Sequence, residues 1–219
     1  MTSFIDNTLD PAVRGYLHTP QTANGHALVL THGAGANANA SLLSALAETF
    51  ASHGYTVLRC DLPFRQAKSF GPPFPAQAAR DRAGLRNAVE VMRKKVSEKV
   101  FLGGHSYGGR QSTMLCAEDP DLAAGLLLLS YPLHPPRKPD QLRTQHLPDL
   151  RTPSLFVHGT RDPFGTIEEM TKAMHLVPAK TELLRVEGAG HDLGFKGKLR
   201  AEEIPARIYE AFALFFHAG

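Results

Sequence analysis

The sequence of 219 residues is poor in cysteine and has no long apolar run. Only Cys60 and Cys116 occur, without the spacing of a metal site or a disulfide framework, which suits a reducing compartment. The longest apolar stretch, Leu126 to Leu129, is far too short to span a bilayer. The first ten residues include Asp6 and Asp10 and lack a basic start followed by an apolar run, so we expect no signal peptide. Together these absences predict a cytoplasmic protein with no membrane partner.

An excess of charge of one sign is also missing. Lys and Arg number 24 against 21 Asp and Glu, and this formal charge of +3 is too small and too scattered to indicate a nucleic-acid partner. The apolar fraction of 42% and the charged fraction of 21% are typical of globular proteins. The length suits one compact domain over residues 1–219. The sequence assigns no oligomeric state.

Short apolar runs rich in β-formers alternate with longer segments of helical period. This pattern predicts an α/β fold with a mostly parallel central sheet and helices on both faces. Residues before Ala27 are expected to add a leading strand or two, and Asp61 to Pro75 is predicted to be a loop. The clear predicted strands are Ala27–Thr31, Tyr55–Cys60, Lys99–Leu102, Gly125–Ser130, Ser154–His158 and Glu182–Val186.

A candidate nucleophile follows the Lys99–Leu102 strand, in the segment Gly104-His105-Ser106-Tyr107-Gly108. Glycines two positions either side of a serine, between a strand and a helix, are typical of a nucleophile elbow. The sharp turn strains the serine backbone and brings neighbouring backbone so close that flanking side chains would clash. The alternative is an ordinary glycine-rich turn, which the strand before and the helix after Ser106 make the weaker interpretation.

Donors for a developing oxyanion are expected at two places. The backbone N–H of Tyr107 lies at a predicted helix N-terminus, and the small-residue loop His32-Gly33-Ala34-Gly35 follows the Ala27–Thr31 strand. Ala34 is the preferred second donor and Gly35 the alternative. An imidazole at a strand end more often anchors a loop than takes part in chemistry, so we assign His32 that structural role.

The acid and the base are predicted in the two loops that follow the last strands. Asp162 comes directly after the Ser154–His158 strand, and His191 lies in the flexible turn Gly188-Ala189-Gly190-His191. The chain order Ser106, Asp162, His191 is the order expected when all three meet at the carboxyl edge of the sheet. An Asp-Pro turn is the plain alternative for Asp162, and Asp61 is the reserve acid. Asp192 is expected to cap the next segment.

These motifs, Gly-His-Ser106-Tyr-Gly-Gly, His-Gly-Thr-Arg-Asp162-Pro and Gly-Ala-Gly-His191, resemble the α/β-hydrolase superfamily over most of the chain. The Thr31–Gly35 loop and the short length are similar to the dienelactone-hydrolase-related branch that includes testis-expressed hydrolase-like proteins. The resemblance implies a mechanism without cofactor or metal, through an acyl-enzyme at Ser106 that water activated by His191 later hydrolyses. Dienelactone hydrolases proper use a cysteine nucleophile, so their particular substrate is not carried over.

The substrate is expected to be a small acyl ester or thioester. Many relatives insert a lid after the strand equivalent to Gly125–Ser130, but here Tyr131 to Thr152 is proline-rich with little helical period. We therefore expect minimal or no lid and an open, shallow site. Aromatic residues just beyond strand ends are candidates for an apolar pocket, with mere packing as the equal alternative: Phe64, Tyr131 and Phe164. Arg65, Arg137 and Lys138 are expected at the solvated surface.

Two functions of different classes remain open. One is a serine hydrolase of the carboxylesterase type, and the other is a non-catalytic binding or scaffold protein that retains the fold. Peptidase or C–C bond hydrolysis stays open within the enzyme class. The complete set of Ser106, Asp162 and His191 favours the enzyme, since a binding protein would need none of them.

Overall fold

The computed structural model describes residues 1–195 and 203–217. Within these residues the chain builds one eight-stranded sheet with the spatial order β1-β2-β4-β3-β5-β6-β7-β8. The strands are β1 Thr2–Asp6, β2 Val13–His18, β3 Ala27–Thr31, β4 Thr56–Cys60, β5 Val100–His105, β6 Leu126–Leu129, β7 Ser154–Gly159 and β8 Thr181–Val186. The helices are α1 Ser41–Ser52, α2 Pro63–Ala67, α3 Ala78–Arg93, α4 Tyr107–Glu118, α5 Ile167–Met174 and α6 Ile204–His217.

The sheet confirms the predicted fold class. From β4 to β8 all neighbouring strands are parallel, while β1 and β2 add an antiparallel pair at one edge. The parallel strands are continuous apolar runs because helices cover both of their faces. All five residues of β3 and all four of β6 are buried.

The core lies in two layers, one on each face of the sheet. On one face α1 and α6 pack through residues such as Leu46 and Phe212, and on the other α2 to α5 pack through residues such as Leu85 and Leu115. These apolar side chains recur at helical spacing, so each helix presents one stripe to the sheet. The two layers hold the parallel strands in a fixed register and so fix where their ends lie.

Two predicted boundaries differ from the structure. The Asp61 to Pro75 segment is not wholly a loop, because Pro63 begins the short helix α2, whose first position tolerates a residue without an N–H. Strand β5 runs on through Gly103 to His105, since Gly103 pairs with both Leu30 and Leu127. The serine that follows is therefore held at the very end of a paired strand.

The segment after β6 forms no lid in the described part of the chain. Between Leu129 and Ser154 the only regular element is a single 3-10 turn, Leu147–Asp149. The carboxyl ends of the parallel strands are therefore left open to solvent on this side. Over residues 1–195 and 203–217, no helix has the length and apolar character needed to cross a membrane.

Candidate active site

Ser106 stands at the sharp turn between β5 and α4. Its backbone has φ 51° and ψ −114°, a conformation that L-residues rarely adopt. The turn is tight enough to exclude side chains at the flanking glycines: a Cβ on Gly104 would lie 2.6 Å from the carbonyl carbon of Gly108, and one on Gly108 would lie 2.6 Å from the His32 carbonyl oxygen. The glycines thus allow the strand, the turn and the loop after β3 to approach one another. This loop, residues 32–37, is called the oxyanion loop after the donor that it is predicted to supply.

The structure brings the three predicted catalytic side chains into one hydrogen-bonded chain. Ser106 Oγ lies 2.8 Å from His191 Nε2. His191 Nδ1 lies 2.8 Å from Asp162 Oδ2 and 3.1 Å from Oδ1. A carboxylate only accepts hydrogen bonds, so His191 Nδ1 carries the proton and Nε2 is free to accept the one on Ser106. The arrangement can remove the serine proton as Oγ attacks a carbonyl.

Asp162 is held rigidly in the turn after β7. Its side chain is fully buried, and Oδ1 also accepts the backbone N–H of Phe164 at 2.9 Å. His158 Nε2 lies 3.8 Å from Oδ2 on the other side and contacts the carbonyl oxygen of Gly165 at 2.8 Å. Burial lowers the pKa of His158, so this second imidazole stays neutral. The carboxylate is therefore aimed at His191 and kept from rotating away.

The loop that carries His191 is fixed by its backbone. His105, the residue before the serine, contacts the His191 carbonyl oxygen through Nε2 at 2.7 Å, and burial lowers its pKa to about 4. Gly159 admits the loop, because a Cβ there would lie 2.4 Å from the Ala189 carbonyl oxygen. Asp192 caps locally, accepting the Gly194 N–H at 3.1 Å.

The loop expected to supply an oxyanion donor is anchored by two buried side chains. His32 has no exposed surface; Nδ1 contacts the Gly33 carbonyl oxygen at 2.9 Å and Nε2 accepts the Leu62 N–H at 3.2 Å. This is the loop-anchoring role predicted for His32. Asp61, the reserve acid, lies 3.4 Å from His32 Nε2 and accepts the Ala38 N–H at 2.7 Å, so it serves this loop and not His191.

Arg65 is the second anchor, and the expectation that it lies at the solvated surface is wrong. The residue is 7% exposed, and its guanidinium donates to the carbonyl oxygens of Ala36 at 2.7 Å and Ala34 at 2.9 Å. It also reaches Gly71 at 3.0 Å and Lys68 at 3.2 Å. Since α2 follows β4 directly, it points this side chain under the loop. One cation therefore ties the oxyanion loop to the segment after α2.

A second charged side chain supports the other predicted donor. Asp81 of α3 is fully buried and accepts the Tyr107 O–H at 2.8 Å and the Phe64 N–H at 2.9 Å. Burial raises the pKa of Asp81 and also that of Tyr107. The Tyr107 N–H lies in the first turn of α4, where backbone donors have no partner within the helix. Helical periodicity predicted α3, but nothing in its sequence marked Asp81.

The three aromatic residues proposed as pocket walls have different positions. The Phe164 ring lies 4.1 Å from the His191 ring, centroid to centroid, and lines a cavity beside Ser106. Phe64 and Tyr131 are each only 1% exposed and pack within the core. The Tyr131 O–H donates to the Arg143 carbonyl oxygen at 2.7 Å. These two side chains pack in the core, which is the alternative left open for them, and they do not line the cavity as substrate-binding residues.

The cavity beside Ser106 has a volume of about 530 Å³. Its walls come from the oxyanion loop, the segment after α2, the first turns of α4 and the segments after β6 and β7. Two of its wall residues, Arg110 and Arg143, were not singled out by the sequence patterns. Arg110 lies one turn beyond the serine in Gly-Gly-Arg, and this position is the signal that could have found it.

Comparison with known proteins identifies the family of the chain. A family model described as an alpha/beta hydrolase domain matches residues 24–212. A curated relative named Cutinase est2, from Thermobifida alba, is 23% identical over 186 residues, covering 81% of this chain and 56% of its own length. The chain thus spans about half the length of that relative.

Solved structures share the fold over nearly the whole chain. Est1E from Butyrivibrio proteoclasticus superposes with a TM-score of 0.77 at 16% identity, covering 100% of both chains. A dienelactone hydrolase from Anabaena variabilis gives a TM-score of 0.76 at 18% identity, covering 99% of each. At such identities the likeness concerns the fold alone, whereas the family model matches this sequence itself. The chain belongs to the α/β-hydrolase superfamily.

Proposed function

We propose that this protein is a serine hydrolase that cleaves small acyl esters or thioesters through an acyl-enzyme at Ser106. One observation carries the proposal: the two 2.8 Å contacts that link Ser106 Oγ to His191 and His191 to Asp162. A serine, an imidazole and a buried carboxylate in this order are the parts that acyl transfer requires. The strained backbone of Ser106 supports the same role, since strain of this kind concentrates at functional sites.

In the proposed mechanism His191 Nε2 takes the proton of Ser106 while Oγ bonds to the substrate carbonyl carbon. Asp162 accepts the hydrogen bond of Nδ1–H and stabilises the imidazolium that forms. The backbone N–H groups of Tyr107 and Ala34 donate to the oxyanion of the tetrahedral intermediate. His191 then gives its proton to the departing alcohol or thiol as the C–O or C–S bond breaks. A water molecule, deprotonated by His191, hydrolyses the acyl-enzyme and restores Ser106.

The proposed substrates are small because the site is open. The described residues build no lid over Ser106, and the cavity beside it, of about 530 Å³, is within the range of small-molecule sites. Phe164 supplies an apolar wall next to His191. Hydrolase names among the similar proteins support hydrolysis as the reaction class.

Labelling with a fluorophosphonate probe tests the proposal, with the adduct located by mass spectrometry. Wild-type protein should be labelled at Ser106, and Ser106→Ala should lose the label. Ser130→Ala is the matched control, because Ser130 also has a positive φ at a strand end but is fully buried with no hydrogen-bond partner for Oγ among the described residues. Absence of labelling in folded wild-type protein would favour the alternative, a binding or scaffold role.

A further inference from the structure

The cavity beside Ser106 carries positive charge in its wall. Arg110 of α4 and Arg143 of the segment after β6 both line it, together with Gln111. Its described wall residues include no Asp or Glu, and the remainder are mostly apolar, among them Phe164 and Pro132. A cavity with two guanidinium groups and no carboxylate is suited to an anionic ligand.

Donors in this wall are left without partners. Arg110 Nε and Gln111 Nε2 are both buried, and neither has a hydrogen-bond partner among the described residues. Gln111 has no exposed surface at all, so water cannot reach its side chain from the outside. Buried donors are paired in nearly all folded proteins, and an exception calls for a missing partner. Arg110 as a whole is only part-buried and lines the cavity, so a ligand there would meet its positive charge.

The nearby carboxylates are engaged elsewhere. Glu118 pairs with Arg82 at 3.2 Å, and Asp81 accepts the Tyr107 O–H and does not line the cavity. Arg82 also donates to Gln111 Oε1 at 3.2 Å, so the amide oxygen of Gln111 has a partner. The amide nitrogen, Nε2, is the atom of this side chain that has none among the described residues.

The two guanidinium groups lie close enough for their positive charges to repel each other. Burial lowers the pKa of Arg143, and the positive charge of Arg110 lowers it further. Burial, followed by the charges of Arg110 and Arg82, also lowers the pKa of His146 to about 4, so this neighbour is neutral at pH 7. Asp149 acts on His146 in the opposite direction but does not line the cavity. The positive charge in the wall is therefore not cancelled by the residues around it.

We propose that Arg110 and Arg143 form a subsite for a carboxylate carried by the substrate, so that the preferred substrates are acyl esters or thioesters with a second, ionised acid group. This inference rests on the proposed hydrolysis at Ser106. A carboxylate offers one oxygen to each of the two guanidinium groups, and its negative charge would offset theirs. The apolar wall around Phe164 suits the methylene chain between the two ends.

Monoesters and diesters that differ in one charge test the subsite. The substrates are the monomethyl and dimethyl esters of succinate, glutarate and adipate, with kcat/KM measured by product chromatography at pH 7. We expect wild-type protein to prefer at least one monoester to its diester by about tenfold or more, as charge-assisted pairing predicts. This preference should fall toward one in Arg110→Gln and Arg143→Gln. Lys138→Gln, which removes an exposed charge that does not line the cavity, should keep it.

A binding measurement separates failure of the subsite from failure of the reaction. Ser106→Ala protein should bind monomethyl glutarate in calorimetry and bind the dimethyl ester at least tenfold more weakly, and adding Arg110→Gln should abolish the difference. Arg143→Gln, which removes the other charge of the cavity wall, replaces Arg110→Gln if the latter does not melt cooperatively. Equal affinity for the monoester and the diester overturns the subsite even if Ser106 is labelled. Charge-selective binding without labelling of Ser106 overturns the hydrolase proposal and leaves the subsite standing.

Discussion

Replacing Arg65 by methionine should loosen the oxyanion loop. The guanidinium donates four hydrogen bonds to carbonyl oxygens, at 2.7 Å to Ala36, 2.9 Å to Ala34, 3.0 Å to Gly71 and 3.2 Å to Lys68. Methionine keeps much of the apolar stem but leaves these carbonyls without their donor. Hydrogen bonds to a charged group contribute about 1.5–3 kcal/mol each. The contributions of several hydrogen bonds to one group do not add up in full. Counting only the two shortest, we expect the substitution to lower the free energy of unfolding by roughly 3 kcal/mol.

The matched control is Arg80→Met, which removes a cation of the same size from the surface. Arg80 pairs with Asp10, and their side chains are 59% and 81% exposed. Such a pair contributes less than about 1 kcal/mol. For a protein of this length, a loss of roughly 3 kcal/mol at Arg65 corresponds to a fall in Tm of about 6–12 °C, against about 4 °C or less for Arg80.

Two measurements check this prediction. The free energy of unfolding comes from urea denaturation, and kcat and KM come from hydrolysis of the best small ester. We expect Arg65→Met to lower kcat more than it raises KM, because in the proposed mechanism the Ala34 N–H donates to the oxyanion of the transition state and not to the bound ester. If Arg65→Met is as stable and as active as Arg80→Met, the guanidinium does not hold the loop and this account of the site fails.

The other predictions concern backbone packing and pH. Gly108→Ala places a methyl group 2.6 Å from the His32 carbonyl oxygen, so we expect a loss of about 1–3 kcal/mol in urea denaturation and a lower kcat. Gly35→Ala, whose Cβ meets nothing within 4 Å, should be close to neutral in both assays. Burial and the charge of Arg59 lower the pKa of His18 to about 4 from its ordinary 6.5, so the neutral ring contributes stability that is complete above pH 6.5 and is lost as the pH falls toward 4. The loss of stability on acidification is at most about 3 kcal/mol. His18→Gln keeps an acceptor for the Arg59 N–H and should reduce it. The check is the free energy of unfolding measured by urea denaturation at pH 4.5 and at pH 7.5.

The positions of Ser106, Asp162 and His191 followed from local sequence because each lies just beyond a parallel strand. Apolar runs identified the strands, and parallel strands bring their carboxyl ends to one edge. The structure places the three side chains within hydrogen-bond distance of one another. Short sequence patterns were enough because the three residues lie at strand ends, and the apolar runs of the sequence locate those ends.

Whether an individual aromatic or arginine side chain is buried did not follow from local sequence. Phe64 and Tyr131 also lie beyond strand ends, yet both are buried, because α2 and the segment after β6 fold back over them. Arg65 was indistinguishable from a surface arginine, since the carbonyl oxygens of Ala34 and Ala36 that its guanidinium contacts come from the distant loop after β3. Their surroundings are long-range packing, which a single sequence does not encode in any short pattern.

The histidines around the site show how burial assigns different roles to one residue type. His32, His105 and His158 lie at the carboxyl ends of β3, β5 and β7. Burial lowers the pKa of each, so all three are neutral at pH 7. Each contacts a backbone carbonyl oxygen. His191 alone of these four hydrogen-bonds with both a serine and a carboxylate. A neutral imidazole that donates to a carbonyl fixes a loop without adding charge beside the base. Three positively charged histidines at these positions would instead oppose the imidazolium that the proposed reaction forms at His191, so their burial is a condition for its role as base.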